Sequence, residues 1–121
     1  EIIVQDRFVE TGFDVQISTD DGSMGLKGRV TELLLPQLDK ADVFPDVYAC
    51  GPNAMLKAVG DICIERGGDA ALSLDLPMCC GVGACFTCVM RCKADNADGW
   101  EYIRTCIDGP VLMASQVVWD A

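Results

Sequence analysis

Three cysteines lie within nine residues of this chain, and a fourth follows at a distance. The segment reads Cys80-Gly-Val-Gly-Ala-Cys85-Phe-Thr-Cys88, and Cys106 comes after a gap of 17 residues. Gly81 and Gly83 can adopt positive φ angles, so the backbone of this segment can wrap closely around a bound group. The four cysteines therefore constrain the fold more than any other feature.

The Cys-x4-Cys-x2-Cys spacing with a distant fourth cysteine is that of a plant-type [2Fe–2S] site. Such a centre needs four thiolates, two on each iron, and it carries single electrons. We expect Cys80, Cys85, Cys88 and Cys106 to be the ligands. Cys79 competes with Cys80 as the first ligand, but it would lengthen the first gap to five residues.

Two other uses of the cysteines stay open. Four cysteines also suit a structural zinc site, although zinc ribbons usually pair two Cys-x2-Cys knuckles and only Cys85-x2-Cys88 resembles one. Eight cysteines could also form disulfides in a secreted chain. The tight pattern at residues 80–106 and the good helix and strand patterning before it favour ligation. Three of the remaining cysteines are expected to pack as apolar thiols and not to serve as ligands: Cys63, Cys79 and Cys92.

Length and charge limit the classes of function. With 121 residues the chain makes one domain, or two small ones that share a core. A net charge of -10 and the absence of histidine argue against nucleic-acid binding, which needs a basic face. The sequence contains no run of 18 apolar residues, so no membrane-spanning segment is predicted. We expect a cytoplasmic location.

The first part of the chain predicts an α/β fold. Phe13, Val15 and Ile17 alternate with polar residues as in a strand, and a helical pattern begins at Val30. We expect that helix to end or kink near Pro36. The apolar residues Ile2–Val4 predict another short strand at the start.

A strand–helix–strand unit follows. Residues 47–50 form a continuous apolar run, typical of a parallel strand buried on both faces. Gly51-Pro52 then starts a helix whose apolar face is predicted to hold Met55, Val59, Ile62 and Cys63. Leu72, Leu74 and Leu76 alternate as the next strand. We predict a partial doubly wound parallel sheet over residues 1–76 and a small cysteine-rich β domain over residues 77–121.

The cysteine-rich part predicts a hairpin. Residues 88–93 and 100–105 are the two strands, joined by a turn at 95–99, and this hairpin returns Cys106 toward the cysteine loop. Residues 111–113 predict a third short strand.

Two further motifs follow predicted strands. Cys50-Gly51-Pro52 lies where a parallel strand ends, the edge at which α/β folds bind ligands. Asp20-Asp21-Gly22 also follows a strand. Taken alone, the first is either a buried cysteine before a helix or a ligand contact, and the second is a solvated turn or a ribose-binding loop.

Together these segments resemble the electron-transfer subunit of class 1B (NAD-dependent) dihydroorotate dehydrogenase, in the ferredoxin–NADP reductase-like superfamily. The resemblance rests on residues 19–30, Val47-Tyr-Ala-Cys-Gly-Pro-Asn-Ala-Met55, the cysteine loop, and Cys106-Ile-Asp-Gly-Pro-Val111. It covers nearly the whole chain in order, and the cysteine segments are its most specific part.

The resemblance implies a function in pyrimidine biosynthesis. In that family an FAD-binding β-barrel precedes an NAD-binding α/β domain, and a [2Fe–2S] cluster lies near the C-terminus. Electrons pass from dihydroorotate to FMN on a catalytic partner subunit, then through the cluster and FAD to NAD. Cys50, Gly51 and Pro52 would lie by the nicotinamide–flavin contact, and Asp20, Asp21 and Gly22 near the NAD pocket.

We expect this chain to be the C-terminal part of such a subunit, because residues 1–4 have the pattern of a strand interior and the sequence does not begin with methionine. Alone it is not expected to bind FAD or to be active. The strand at 13–18 would lose its usual neighbours, so we expect a rearranged sheet edge, a homo-oligomer or a strand-swapped dimer.

Two other functions remain. One is the small subunit of an NAD(P)H-dependent ferredoxin oxidoreductase or sulfide dehydrogenase, which shares the Cys-Gly-Pro and Asp-Gly-Pro motifs but often uses an aspartate as a cluster ligand. The other is a zinc-stabilised binding module without a redox role.

Overall fold

The computed structural model describes residues 3–119 and divides them into two compact units, one ending at Ala41 and the other beginning at Asp42. The predicted domain boundary between residues 76 and 77 stays a prediction. Within the described residues no helix is both long and apolar enough to cross a membrane.

The described part of the first unit consists of two helices and one short pair of strands. It contains α1 (Gln5–Glu10), β1 (Ser18–Thr19), β2 (Leu26–Lys27) and α2 (Val30–Lys40). The strands β1 and β2 are parallel, with Ser18 opposite Leu26 and Thr19 opposite Lys27.

Two strand predictions in this unit are wrong. Residues 13–17 form no strand; Phe13 is exposed and packs edge-on against Phe8, with ring centroids 5.8 Å apart. No described strand pairs with this segment, so its alternating pattern has no ladder to join. Of the strand predicted at Ile2–Val4, Ile2 lies outside the described residues, and Val4 has a φ of 59° directly before α1.

The helix α2 is confirmed, but it does not end near Pro36. The backbone amide of Arg29 donates to the Glu32 carboxylate (3.0 Å), which fixes the first turn. The helix then passes through Pro36 and ends at Lys40. Leu38, in the turn after the proline, is buried. Its burial offsets the hydrogen bond that the proline cannot donate.

The second unit is built on a three-stranded sheet of its described residues, in the order β3 (Val47–Cys50), β4 (Ala70–Ser73), β7 (Val111–Met113). The helix α3 (Asn53–Glu65) connects β3 to β4, which run parallel as predicted. The strand β7 joins antiparallel to β4. The α/β prediction is thus confirmed as a mixed α/β fold, while the doubly wound sheet stays a prediction.

The core of this unit lies between α3 and one face of the sheet. Leu56 and Cys63 of α3 and Leu72 of β4 are completely buried. Gly60 lets the helix approach Ala114, because a Cβ at Gly60 would lie 2.8 Å from the Ala114 Cβ. A short 3₁₀ helix, Ala114–Gln116, therefore packs against α3 directly after β7.

Two details of this unit differ from the sequence predictions. The strand β3 is not buried on both faces: Tyr48 is 79 % exposed and Cys50 is exposed, because α3 covers only the opposite face. On α3, Val59 and Cys63 are buried as predicted, whereas Met55 and Ile62 are only half-buried and Leu56 and Gly60 complete the buried side.

The predicted hairpin is confirmed. The strands β5 (Val89–Lys93) and β6 (Trp100–Arg104) pair antiparallel, with Val89 opposite Arg104. A single helical turn, α4 (Thr105–Asp108), follows β6 and carries Cys106. The hairpin thus places Cys106 beside the end of the cysteine loop.

Candidate metal centre

The cysteine loop, residues 79–88, is irregular and turns sharply. Gly81 and Gly83 have φ angles of 69° and 78°. A Cβ on Gly83 would lie 2.1 Å from the end of the Ile107 side chain, so a larger residue would have to displace that side chain as well as adopt a positive φ. Phe86 also has a positive φ, 57°, which a non-glycine residue rarely adopts.

Hydrogen-bond donors of the loop point at the sulfurs of Cys80 and Cys85. The amides of Val82 and Ala84 donate to the Cys80 Sγ at 3.4 and 3.3 Å, and the Thr87 hydroxyl donates to the Cys85 Sγ at 3.1 Å. The amide of Val82 is the main cause that lowers the pKa of Cys80. The hydrogen bond from the Thr87 side chain lowers the pKa of Cys85 to about 6. This environment favours thiolates, the form that binds metal.

The other two cysteines form a second pair. The backbone amide of Cys106, and then its thiol, lower the pKa of Cys88. The pKa of Cys106 is raised, first because its thiol is hydrogen-bonded to Cys88. The thiols of Cys80 and Cys85 interact in the same way with each other. The charge of Cys80 is a smaller cause that also raises the pKa of Cys106.

Two residues just before Cys106 fasten the loop to the hairpin. The amide and hydroxyl of Thr105 both donate to the Cys88 carbonyl, at 3.0 and 3.1 Å, and Thr105 is buried. The Arg104 guanidinium donates to the Gly83 carbonyl at 2.9 Å across 21 positions of sequence. The sequence analysis singled out the four cysteines as ligand candidates but not Thr87, Arg104 or Thr105. The sequence feature that could have indicated these three residues is that each lies within two positions of a candidate cysteine.

The donor set fits a two-iron cluster. Cys80, Cys85, Cys88 and Cys106 supply four thiols, the number that a [2Fe–2S] centre takes, two on each iron. Among residues 3–119, no three cysteine, aspartate or glutamate side chains are gathered as ligands of a single metal ion. All eight cysteines are free thiols.

The Cys50-Gly51-Pro52 motif lies at the carboxyl end of β3, as predicted. Cys50 is exposed, and Pro52 is the residue directly before α3. Gly51 has a φ of 157°, and a Cβ there would lie 2.5 Å from the Met55 side chain. The chain therefore turns closely over the start of α3, and the Cys50 thiol stays open to solvent.

The Asp20-Asp21-Gly22 motif lies in the first unit, between β1 and β2. The Ser23 amide donates to the Asp21 carboxylate at 2.9 Å, and Gly22 adopts a φ of 75°. The hydrogen bond from the Ser23 side chain is the main cause that lowers the pKa of Asp21. All three residues are exposed, so this segment is a solvated turn held by its neighbours in sequence.

The second unit thus combines a strand–helix–strand segment of an α/β sheet with a cysteine-bearing loop and hairpin. Residues 77–118 match the family model described as the iron–sulfur cluster binding domain of dihydroorotate dehydrogenase B. An iron–sulfur cluster binding domain is therefore present in the chain, with its four cysteines inside the matched range.

The chain is similar over nearly all its length to electron transfer subunits named dihydroorotate dehydrogenase B (NAD(+)). Identity is 42 % with the protein of Fusobacterium nucleatum, covering 97 % of this chain and 42 % of the relative. It is 37 % with that of Caldanaerobacter subterraneus (98 % and 46 %) and 46 % with that of Geobacillus thermodenitrificans (87 % and 38 %). The resemblance inferred from the motifs is thus confirmed, and the chain spans less than half the length of these relatives.

A solved structure shares the fold. Its title describes flavin-based electron bifurcation by an NADH-dependent reduced ferredoxin–NADP oxidoreductase. The TM-score is 0.73 at 29 % sequence identity, and the match covers 94 % of this chain and 38 % of that one.

Proposed function

We propose that Cys80, Cys85, Cys88 and Cys106 hold a [2Fe–2S] cluster and that the chain serves electron transfer in a dihydroorotate dehydrogenase of the NAD-dependent type. The observation that carries this proposal is the set of amide and hydroxyl donors directed at the Cys80 and Cys85 sulfurs, within a segment that matches an iron–sulfur cluster binding domain. When bound, the cluster accepts and gives up single electrons, as the passage of electrons from dihydroorotate to NAD in pyrimidine biosynthesis requires.

The residues of this chain would prepare the site in three ways. The loop glycines allow the backbone to close around the cluster. The donors of Val82, Ala84 and Thr87 favour thiolates on Cys80 and Cys85, and such hydrogen bonds also tune the potential of iron–sulfur centres. Burial of Cys88, only 3 % exposed, limits access of solvent to one ligand.

The remaining parts of the proposal concern partners and nucleotide contacts. The relatives' name implies a catalytic partner subunit, which we propose to be the FMN-containing dihydroorotate dehydrogenase. Cys50, Gly51 and Pro52 would contact the nicotinamide–flavin region, and Asp20, Asp21 and Gly22 the NAD pocket. FAD and NAD would be bound in the full-length subunit, in the cytoplasm.

An exchange experiment tests this function. The reconstituted chain, red-brown in its oxidised form, is mixed anaerobically with an FMN-containing catalytic subunit and dihydroorotate. We expect its visible absorption to bleach only when both are present. Bleaching by the catalytic subunit without dihydroorotate, or no bleaching at all by a chain that dithionite does reduce, would contradict the proposed partner.

A second candidate function is favoured by one observation, the structural match to the ferredoxin–NADP oxidoreductase. The same reconstituted chain would then exchange electrons with a reduced ferredoxin and not with the dihydroorotate-oxidising subunit. The four cysteine donors favour the first function, because the oxidoreductase group often replaces one cysteine ligand by aspartate.

A further inference from the structure

The Arg104 side chain joins the hairpin to the cysteine loop. Its Nη1 donates to the Gly83 carbonyl at 2.9 Å, and its Cζ lies 5.3 Å from the centroid of the Phe86 ring. Gly83 lies between Cys80 and Cys85, and Phe86 lies between Cys85 and Cys88. One side chain from the end of β6 therefore contacts the loop in both intervals between its cysteines.

The contacted residues have conformations that need support. Phe86 has a φ of 57°, and such backbone conformations are unfavourable for a non-glycine residue and persist only where surrounding contacts fix them. Its ring is 63 % exposed, so burial does not supply that support. A guanidinium over an aromatic face and a charge-assisted hydrogen bond to Gly83 do supply it.

Arg104 also places a positive charge against the cysteine loop, where charge affects the reduction potential of a bound cluster. Cluster reduction adds one negative charge, and the net charge around a cluster is one determinant of its potential. The positive charge of the guanidinium favours the reduced cluster, which carries the additional negative charge. Its position one residue before Thr105 and two before Cys106 keeps it at the site.

We infer that Arg104 is a positioning residue of the cluster site, which fastens the cysteine loop through Gly83 and Phe86 and raises the reduction potential of the cluster through its charge. This inference rests on the proposed function, because it requires that the four cysteines hold a [2Fe–2S] cluster.

The chain offers a matched control on the same hairpin. Arg91 of β5 lies over the ring of Trp100 at 5.1 Å, so it too is an arginine stacked on an aromatic side chain. Val89 pairs with Arg104 and Arg91 pairs with Tyr102, which places the two arginines on the same face of the hairpin, with Arg91 two positions further from Cys88. R91Q therefore removes an equal charge from the hairpin at a side chain whose described ring contact is with Trp100.

The test is a redox titration of the reconstituted chain with dithionite, one electron per cluster, followed by visible absorption. At a given potential we expect the ratio of reduced to oxidised cluster to be about tenfold lower in R104Q than in the wild type. For a one-electron couple this corresponds to a reduction potential that is about 59 mV lower. R104K, which keeps the charge, and R91Q should stay within about twofold of the wild type. R104L, which keeps neither charge nor donor, should lose its cluster to a chelator faster than R91Q.

The outcomes separate the inference from the function on which it rests. An unchanged potential in R104Q, or equal falls in R104Q and R91Q, would overturn the inference. Loss of the fold in R104Q and R104K alike, seen by circular dichroism, would also overturn it, because Arg104 would then be needed for folding and not for the site. A folded R104Q that loads no cluster, rescued by R104K, would support it. A wild-type chain that takes up no cluster would overturn the proposed function itself.

Discussion

The cysteine loop and the Asp20–Gly22 turn are both short, polar or glycine-bearing segments, but they are held in different ways. The cysteine loop is fastened by Thr105 and Arg104, which lie 17 and 21 positions away from the residues they contact. The turn at Asp20 is closed by Thr19, Ser23 and Met24, all within five positions. Only the first is therefore fixed by the fold, and a preorganised site needs such fixing.

The same difference separates the two compact units. In the second unit β4 pairs with β3 and β7, and Asp69 accepts hydrogen bonds from Ser115 across 46 positions. In the first unit the strand ladder has two residues on each side. Contacts between distant residues make cooperative structure, so we expect substitutions in the second unit to have the larger effects.

The sharpest test of the comparison is at the loop itself. Cys80→Ser removes a candidate ligand, whose sulfur accepts hydrogen bonds from two backbone amides. Cys79→Ser changes the neighbouring exposed thiol, for which no such hydrogen bond is described. We expect C80S to lose most of the iron and sulfide after anaerobic reconstitution and C79S to keep both. Equal loss in the two variants would mean that the loop does not distinguish its adjacent cysteines.

The next largest effect is expected in the core of the second unit. Leu72→Ala removes a completely buried side chain, which costs about 2–5 kcal/mol of the free energy of unfolding. Leu26→Ala in the first unit, at a leucine that is 40 % exposed, should cost about 0.5 kcal/mol or less. Denaturant unfolding measures both. A cost at Leu26 as large as that at Leu72 would break the comparison between the units.

A smaller effect is expected at Asp69. Partial burial tends to raise its pKa, but hydrogen bonds from the Ser115 side chain and from nearby amides outweigh this and lower the pKa. A lowered pKa in the folded state means that the ionised carboxylate stabilises the fold above about pH 4 and that this stability is lost as the pH falls through the folded pKa.

Asp69→Asn should therefore cost about 1–3 kcal/mol at neutral pH, the usual worth of hydrogen bonds to a charged group, and less below about pH 4. Asp75→Asn, at an exposed residue shortly after β4, is the control and should leave the pH profile unchanged. Unfolding followed as a function of pH gives the answer. A D69N cost that does not shrink in acid would show that the charge of Asp69 is irrelevant.

The smallest effect is expected at the Asp20–Gly22 turn. Asp21→Ala removes one acceptor from an exposed local turn. We expect no change in the visible absorption of the reconstituted chain and no change in its unfolding midpoint. A lowered midpoint would show that this turn has contacts beyond its neighbours in sequence. NAD binding by the full-length subunit, compared between wild type and D21A, sharpens the proposal that the turn lies near the nucleotide.

Much of the second unit was predictable from the sequence, because its patterns are strong and the structure uses them. The strand at 47–50, the helix after Pro52 and the hairpin that returns Cys106 all follow local periodicity. The pairing of β7 with β4 was not predictable, because the sequence pattern of a three-residue strand does not indicate which strand it pairs with.

The failures in the first unit have the same cause. The alternation of Phe13, Val15 and Ile17 is a strand pattern, but a strand needs a neighbouring strand along its length. Among the described residues only the last position of this segment, Ile17, accepts a backbone hydrogen bond from the segment of β2, at Leu26. At the site, the cysteine spacing identified the ligand candidates, whereas the contacts of Arg104 and Thr105 with the loop depend on a register that only the folded hairpin defines.

The most direct test of the central claim is the composition of the chain after anaerobic reconstitution with iron and sulfide. The account predicts two irons and two sulfides per chain, with broad visible bands between roughly 400 and 550 nm, the absorption of a [2Fe–2S] centre. A colourless chain that takes up one zinc ion through the same cysteines, and no sulfide, would contradict it.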